Sequence, residues 1–344
     1  MKQTLTLLPF LILLACCRHN TPDVSNIPVD IKIERFDEFV FRKMDTSNMG
    51  ASIRQMQAAY PYFGEDFLVY FLGLSPLSGL QGQQQDSSEA TIPEFKRFIR
   101  STKPVYDSIE PKFRDLSQLE KDLKKAFQFV KYYFPSYKLP KLIAYAGPFD
   151  APGVAVTPEA MAIGLQLYAG KNFPFYTSTQ GQEVFPLYIS RRFEPQYITP
   201  NCMKAVIEDL YPENSAGKSL IEQMIENGKR WYLLNKLLPE TADSLITGYT
   251  QRQLDWIDDN EALVWNFILQ GTDIYTTDPS SIKTYIGEAP TTTGMPELSP
   301  GNIGQWLGLQ IVKAYAEKHT DISPDALMKL EARRIFLEAK YKPR

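Results

Sequence analysis

The run Lys141-Leu-Ile-Ala-Tyr145 is the first of three short apolar stretches that together decide the fold class. The other two are Gly153-Val-Ala-Val156 and Ala162-Ile-Gly-Leu-Gln-Leu-Tyr168, and glycines and prolines lie between the runs. Apolar runs of this length, bounded by turn-forming residues, are typical of buried strands. We therefore predict one small β-sheet within residues 139–170.

The chain before this sheet is predicted to be helical up to about residue 138. Apolar residues recur between Phe113 and Phe134 at steps of three and four, with charged residues between them, and Pro135 follows. That spacing matches a helical turn, and proline ends a helix. Only Asp30–Phe36 alternates in the way expected of a short strand.

The part of the chain from 200 to 344 is also predicted to be helical. Apolar periodicity predicts helices over Cys202–Leu210, Ser219–Leu238, Thr250–Leu269, from Ser299-Pro300 to about Lys318, and from Pro324 to about Ala339. The predicted fold class is therefore α+β, predominantly helical with one small β-sheet, in a single body over residues 30–344.

Two glycines on one predicted helix indicate a close helix contact. Gly304 and Gly308 are one turn apart, and glycine inside a helix costs about 1 kcal/mol relative to alanine. We predict that another backbone approaches the helix at these positions.

The composition excludes several functional classes. The 37 Lys+Arg and 40 Asp+Glu residues give a net charge of −3, which provides no basic field for nucleic acid. The two histidines, His19 and His319, lie at opposite ends of the chain, so an HExxH zinc site cannot be formed. No G-x-S-x-G motif accompanies His319. We predict no metal, no cofactor and no catalytic residue.

The N-terminus is typical of a bacterial lipoprotein. An apolar run from Leu5 to Leu14, too short to span a membrane permanently, ends in Leu13-Leu-Ala-Cys16, which resembles a lipobox. We predict a signal peptide over 1–15, acylation of Cys16 (palmitate being the usual chain), and a polar, proline-containing tether over 16–29. The alternative is an ordinary signal peptide in which the cysteine stands by chance.

Stretches along almost the whole chain resemble the gliding motility lipoprotein GldB family of Bacteroidetes. They include Ile33-Glu-Arg-Phe36, Tyr60-Pro-Tyr-Phe-Gly64, Gly170-Lys-Asn-Phe-Pro-Phe-Tyr176, Ile225-Glu-Asn-Gly-Lys229, Trp265-Asn-Phe267 and Ser299-Pro-Gly-Asn-Ile-Gly-Gln-Trp-Leu-Gly-Leu-Gln-Ile-Val312. The resemblance implies a non-enzymatic envelope lipoprotein, held on the membrane by its lipid. It implies partners among the envelope proteins of gliding motility or type IX secretion. The absence of an acidic run after Cys16 favours an anchor that faces the periplasm.

The order of the predicted elements is also similar to that of gluzincin peptidases, which carry HExxH on one helix and a third ligand on the next. The matching residues here are Lys204-Ala-Val-Ile-Glu208, and Glu226 stands 18 residues after Glu208. The resemblance implies a degenerate zincin-like architecture, a pseudoenzyme in which Lys204, Ala205, Glu208 and Glu226 occupy vestigial metal-site positions. Lys204 would then pair with Glu208 and Glu226. The alternative is an ordinary exposed helix pair whose spacing is coincidental.

Two alternative functions are a glycan-binding surface lipoprotein and a peptidase-like hydrolase. The chain contains 20 Phe, 19 Tyr and 4 Trp residues, and a glycan-binding surface lipoprotein would use exposed rings of this kind. A peptidase-like hydrolase would have to use non-standard metal ligands. We expect surface recognition, if any, at Pro174-Phe-Tyr176 and in the loop Thr291–Ser299.

Overall fold

A four-stranded sheet forms the centre of the molecule, in a computed structural model that describes residues 21–77 and 85–343. The strands are β1 (Ile33–Arg35), β2 (Lys141–Tyr145), β3 (Val154–Val156) and β4 (Ala160–Gly164). Their order is β1-β2-β4-β3, in which β2 pairs in parallel with β1 and β4, and β3 pairs antiparallel with β4 at one edge. The prediction of one small sheet is confirmed, although the third run ends as a strand at Gly164 and continues as a 3-10 turn.

The helices of the N-terminal part pack on the sheet, and the last of them lies on the face opposite the others. They are α1 (Phe36–Glu38), α2 (Met49–Ala59), α3 (Phe63–Asp66), α4 (Gln85–Ile109) and α5 (Ser117–Tyr133), with π-helical turns at Phe39–Lys43 and Phe67–Phe71 and a 3-10 turn at Glu110–Phe113. An aromatic core around Phe36 and Phe67 packs on Ile143 and Tyr145 of β2. Because side chains alternate along a strand, Leu142 is left for the opposite face.

The opposite face of the sheet packs against α5 and a helix from the second half of the chain. The elements that follow the sheet are α6 (Pro174–Thr177), α7 (Thr179–Val184), α8 (Leu187–Ser190), a 3-10 turn at Pro195–Tyr197, and α9 (Ile198–Leu210). Leu142 and Met161 share a core with Phe127 of α5 and with Cys202 and Met203 of α9. The sheet is therefore buried between two helical layers, which explains why its strands are apolar on both faces.

The C-terminal part is helical, as predicted. Its helices are α10 (Leu220–Leu237), α11 (Asp243–Thr247), α12 (Gln251–Asp259), α13 (Glu261–Gly271), α14 (Pro279–Ile286), α15 (Ile303–Lys318), α16 (Pro324–Lys329) and α17 (Ala332–Ala339). Capping boxes begin two of them, with Ser219 and Glu222 at α10 and Thr250 and Gln253 at α12. Helix α10 joins this part to the sheet, because its two ends belong to two different cores.

Three predicted helix boundaries were wrong. The helix predicted over Thr250–Leu269 breaks at Asn260, whose side-chain amide donates to the carbonyl of Trp256. The helix predicted from Ser299-Pro300 begins only at Ile303, because Asn302 has a left-handed φ of 46°. The last predicted helix is two helices, α16 and α17, separated at Leu330.

The predicted close approach at Gly304 and Gly308 is confirmed. A Cβ atom on Gly308 would lie 1.7 Å from the carbonyl oxygen of Met224, and one on Gly304 would lie 3.0 Å from the carbonyl oxygen of Tyr285. Helices α10 and α15 therefore pack at a distance that only glycine permits.

Part of the predicted tether lies against the body. The predicted signal peptide over 1–15 and Cys16 are outside the described residues, but 21–29 are described. Val24 and Val29 are buried in the core beneath α5, and the Gln128 amide donates to the carbonyl oxygens of Ser25 and Ile27. The body thus begins before residue 30, because these two valines bury apolar surface that a free tether would expose. No helix in the described ranges has the length and apolar character needed to cross a membrane.

Candidate functional site

A cavity of about 810 Å³ lies between α9 and the edge strand β3. Its volume is in the range of roughly 300–1,000 Å³ that is usual for ligand sites. The residues of α9 and β3 that line it are Asn201, Lys204, Ala205, Glu208, Asp209, Val154 and Val156. Three of the four predicted site residues therefore meet at one cavity, and each of them comes from the same helix.

The side chain of Lys204 has no hydrogen bond and no ion pair within the described part of the chain. Helix α9 packs on the sheet through Cys202, Met203 and Val206, and the same packing holds Lys204 at the cavity wall. Burial lowers the pKa of Lys204 to about 8, and the nearby positive charge of Arg192 lowers it further, while Glu288 opposes that effect. An ammonium group in this position has lost much of its hydration without gaining a counterion.

The predicted pair between Lys204 and Glu208 does not form. The Glu208 carboxylate accepts hydrogen bonds from Arg230 Nη1 at 2.8 Å and from the amide of Glu213 at 2.8 Å. Arg230 also donates to the carbonyl of Tyr211 at 2.7 Å, so its guanidinium is fixed by two elements. Lysine N-terminal to glutamate is the weaker order for a helical pair, and the planar guanidinium of Arg230 competes better for the carboxylate.

The predicted contact between Lys204 and Glu226 does not form either. Glu226 pairs with Lys229 at 2.7 Å and with Lys218 at 3.1 Å, and it is not among the residues that line the cavity. Lys229 is 2% exposed and also donates to the carbonyl oxygens of Met328 and Leu330. Glu226 therefore belongs to a buried network that fixes the junction of α16 and α17 to α10.

The second carboxylate at the cavity, Asp209, is also engaged. The Tyr137 hydroxyl donates to it, and burial together with this carboxylate raises the pKa of Tyr137 well above its ordinary value. Both carboxylates of the wall thus have donors, and Lys204 is the charged residue of the wall that lacks a partner in residues 21–77 and 85–343.

Besides Asp209, two more polar residues of the cavity are absent from the sequence prediction. Asn201 Nδ2 donates to the Tyr168 hydroxyl at 2.9 Å, and burial raises the pKa of that hydroxyl. A Cβ atom on Gly153 would lie 2.9 Å from the same oxygen. Tyr168 ends an apolar run, so its sequence context indicates only core packing. Gly153, next to Pro152, is the one feature of the sequence that indicates the close approach of the Tyr168 hydroxyl to the backbone.

The described residues contain no group of three or more His, Cys, Asp or Glu side chains that could hold a metal ion. Cys202 is a free, buried thiol, and burial raises its pKa. His319 stacks on Tyr315 with ring centroids 4.1 Å apart and donates from Nδ1 to the Tyr315 carbonyl. These contacts give both residues a role in packing.

Each predicted recognition segment is held to the body by buried residues. Tyr176 is buried, its hydroxyl donates to the carbonyl of Gln166, and Phe175 stacks on Phe149 at 3.8 Å. In the loop Thr291–Ser299, Thr292 and Ser299 are buried and hydrogen-bonded to each other. The loop residues 293–294 and 296–298 are exposed, so recognition at this loop stays a prediction.

The family of the chain follows from its match over nearly the full length. A family model described as gliding motility protein GldB matches residues 17–343. The chain belongs to the GldB family. GldB membership implies a gliding-motility-related lipoprotein of the cell envelope. No curated protein and no solved structure matches the chain. The gluzincin-like ancestry predicted from the order of elements therefore stays a prediction.

Proposed function

We propose that this GldB-family protein is a lipid-anchored, non-enzymatic binding protein that helps assemble the envelope machinery of gliding motility or type IX secretion. Its body would hold a partner at the cavity between α9 and β3. The observation that carries the proposal is the chemistry of that cavity. It combines an apolar wall with one cation that has no partner in the described ranges, and both of its carboxylates already accept hydrogen bonds.

A hydrolase would need a different arrangement at this cavity. A metal-dependent mechanism requires several free ligands, and a general base requires a carboxylate or imidazole that can reach a water molecule. Glu208 is held by Arg230 and Asp209 by Tyr137, and in the predicted alignment Ala205 takes the place of the general base of a gluzincin. These contacts favour binding over catalysis.

A glycan-binding role has less support than protein binding. Trp231 and Trp306 are buried, and Trp256 and Trp265 pack against the C-terminal core. The cavity contains Tyr168 and Phe193, of which Tyr168 is buried and hydrogen-bonded. A stacking platform for sugars needs exposed ring faces, which these residues do not offer.

Lipidation at Cys16 would hold the body close to the membrane, with the periplasm as the compartment it faces. Val24 is already buried in the body, so only residues 17–23 lie between the acylated position and the first anchored side chain. Such a segment reaches at most about 28 Å when fully extended. The cavity would therefore work near the membrane surface, where envelope complexes assemble.

Co-purification from envelope membranes tests this function. The tagged, full-length lipoprotein and its Lys204→Glu variant would be purified in mild detergent after reversible cross-linking. We expect an envelope protein of the motility or secretion machinery to be enriched with the wild type and depleted with the variant. Two results would overturn the proposal: no envelope protein enriched with the wild type, or one tightly bound zinc ion per chain together with peptidase activity.

A further inference from the structure

Strand β3 lies at the edge of the sheet, and among the described residues it pairs with no strand other than β4. Gly164 donates to the Gly153 carbonyl and Thr157 donates to the Ala160 carbonyl, and the register pairs Ala155 with Ala162. Hydrogen-bonded and non-hydrogen-bonded pairs alternate in an antiparallel ladder. The N–H and C=O groups of Val154 and Val156 therefore point away from β4, and no partner for them lies in the described residues.

No charged side chain blocks this edge. Natural edge strands are commonly protected by shortness, by proline, by charged side chains, by a bulge or by a covering segment. Strand β3 is short, but its three residues carry no charge. Strand β3 consists of Val154, Ala155 and Val156, and Val156 is 40% exposed. Pro152 and Pro158 lie beyond its two ends, so they leave the three central residues available.

The free edge and the unpartnered cation border the same cavity. Val154 and Val156 line one wall, and Lys204 and Ala205 line the wall formed by α9. Ala205 has a small side chain, which leaves room between the walls. A chain that paired with β3 would therefore border the cavity that Lys204 lines.

The charge of Lys204 identifies the chemistry of the occupant. A cation withdrawn from water is normally paired, and here Glu208 and Asp209 are committed to Arg230 and Tyr137. A carboxylate would restore the missing partner and would form a charge-assisted hydrogen bond. A neutral or basic ligand would leave the ammonium group without compensation.

We infer that the cavity binds an extended peptide that adds a strand to the free edge of β3, through Val154 and Val156, and places a carboxylate against Lys204. This is strand addition, in which main-chain hydrogen bonds give affinity and a side-chain pocket gives specificity. The carboxylate is supplied by an acidic side chain or by the C-terminus of the peptide. The inference rests on the proposed binding function and identifies the class of its ligand.

Peptide binding to the full-length lipoprotein in detergent tests the inference. The probe is a random library of seven-residue peptides, synthesised once with free and once with amidated C-termini. Peptides that bind the lipoprotein are selected, and their binding is measured by fluorescence polarisation. We expect the selected peptides to carry Asp or Glu at one position, or to require the free C-terminus, and these two results distinguish the sources of the carboxylate.

Variants and modified peptides then separate the two halves of the site. Lys204→Met should weaken binding roughly 10- to 100-fold, because a hydrogen bond to a charged group is lost. Lys204→Arg should weaken it less, and Lys283→Met, which removes an exposed lysine that does not line the cavity, should have no effect. N-methylation of the peptide backbone should abolish binding at alternate positions only, as a two-residue strand period requires.

The inference is overturned if no peptide is selected, if Lys204→Met binds as tightly as the wild type, or if N-methylation shows no alternation. Failure of these measurements while an envelope partner still co-purifies would place the partner on another surface and leave the proposed binding function intact. Failure of both experiments would remove the function as well.

Discussion

Gly228 of α10 and Gly308 of α15 face each other with their backbones in contact. A Cβ atom on Gly228 would lie 2.2 Å from the carbonyl carbon of Gly308 and 2.5 Å from the amide nitrogen of Leu309. Backbone cannot move aside in the way that a flexible side chain can. This contact sets the separation of α10 and α15 in the C-terminal core. Because the other end of α10 packs in the core beneath the sheet, the contact also affects how α15 is placed relative to the sheet.

Replacement of Gly308 by alanine should therefore destabilise the protein. The gain in helix propensity is about 1 kcal/mol, whereas overpacking against backbone commonly costs about 1–3 kcal/mol and sometimes more. We expect a net decrease of roughly 2 kcal/mol in the free energy of unfolding, measured by urea denaturation. Gly50→Ala on α2 is the matched control, since its Cβ atom would meet only the far end of the Arg54 side chain at 3.7 Å. Equal stability of the two variants would contradict the close contact.

Replacement of Lys204 by methionine should stabilise the protein while it impairs ligand binding. Burial of the unpaired ammonium group costs folding free energy, and methionine fills a similar volume without that charge. We expect a gain of about 1 kcal/mol at pH 7, after allowance for the partial exposure of the side chain. A loss of stability would show that Lys204 has a structural partner.

The stabilisation by Lys204→Met should depend on pH in a defined direction. The folded protein releases the Lys204 proton near pH 8, whereas the unfolded chain retains it up to the ordinary lysine pKa, about 10.4. Between these values the unfolded chain binds more protons, so the wild type gains stability as the pH rises. The difference between the wild type and Lys204→Met should be largest below pH 8 and should disappear toward pH 10.

Glu226→Gln should destabilise the fold without affecting partner binding. The change leaves the ammonium group of Lys229 buried without its carboxylate, although the Met328 and Leu330 carbonyls remain as acceptors. Removal of one partner from a buried ion pair costs about 3–5 kcal/mol, and the remaining carbonyls should reduce this to roughly 2 kcal/mol. Lys329→Met, which removes an exposed pair with Asp325, should change stability by less than about 0.5 kcal/mol. Thermal unfolding and co-purification would be measured on the same preparations.

Cys16→Ala should release the protein from the membrane. Without the predicted acyl chains the body loses its proposed anchor, so the protein should move to the soluble envelope fraction. Metabolic labelling with a palmitate analogue should mark the wild type and the Cys17→Ser control, but not Cys16→Ala. Retention of label in Cys16→Ala would place the lipid elsewhere.

Local chemistry made much of the fold predictable. Strand β2 occupies the predicted residues Lys141–Tyr145, and the caps at Ser219 and Thr250 form with partners three residues away. Hydrogen bonds and periodicities of this kind involve residues close in the chain, so their pattern is present in the sequence itself. The glycines of α15 also predicted a close contact, although they did not identify Gly228 as its other side.

The candidate site was only partly predictable, because its contacts join distant segments. Lys204, Ala205 and Glu208 lie on one helix, and their common location follows from helical spacing. The partner of Glu208, however, is Arg230 on another helix, and Asp209 is engaged by Tyr137, which precedes the sheet. No local pattern ranks Arg230 above Lys204 as the partner of that carboxylate.

The sequence by itself determined the lipobox, the small apolar sheet, most helices and the absence of closely spaced histidines. The tertiary structure alone decided that β3 forms the edge of the sheet, that Val24 and Val29 join the core, and that Lys204 has no partner among the described residues. The physical reason is the range of the interactions. Propensity, capping and periodicity act over a few residues, whereas strand order, burial and charge pairing depend on which distant surfaces meet when the chain folds.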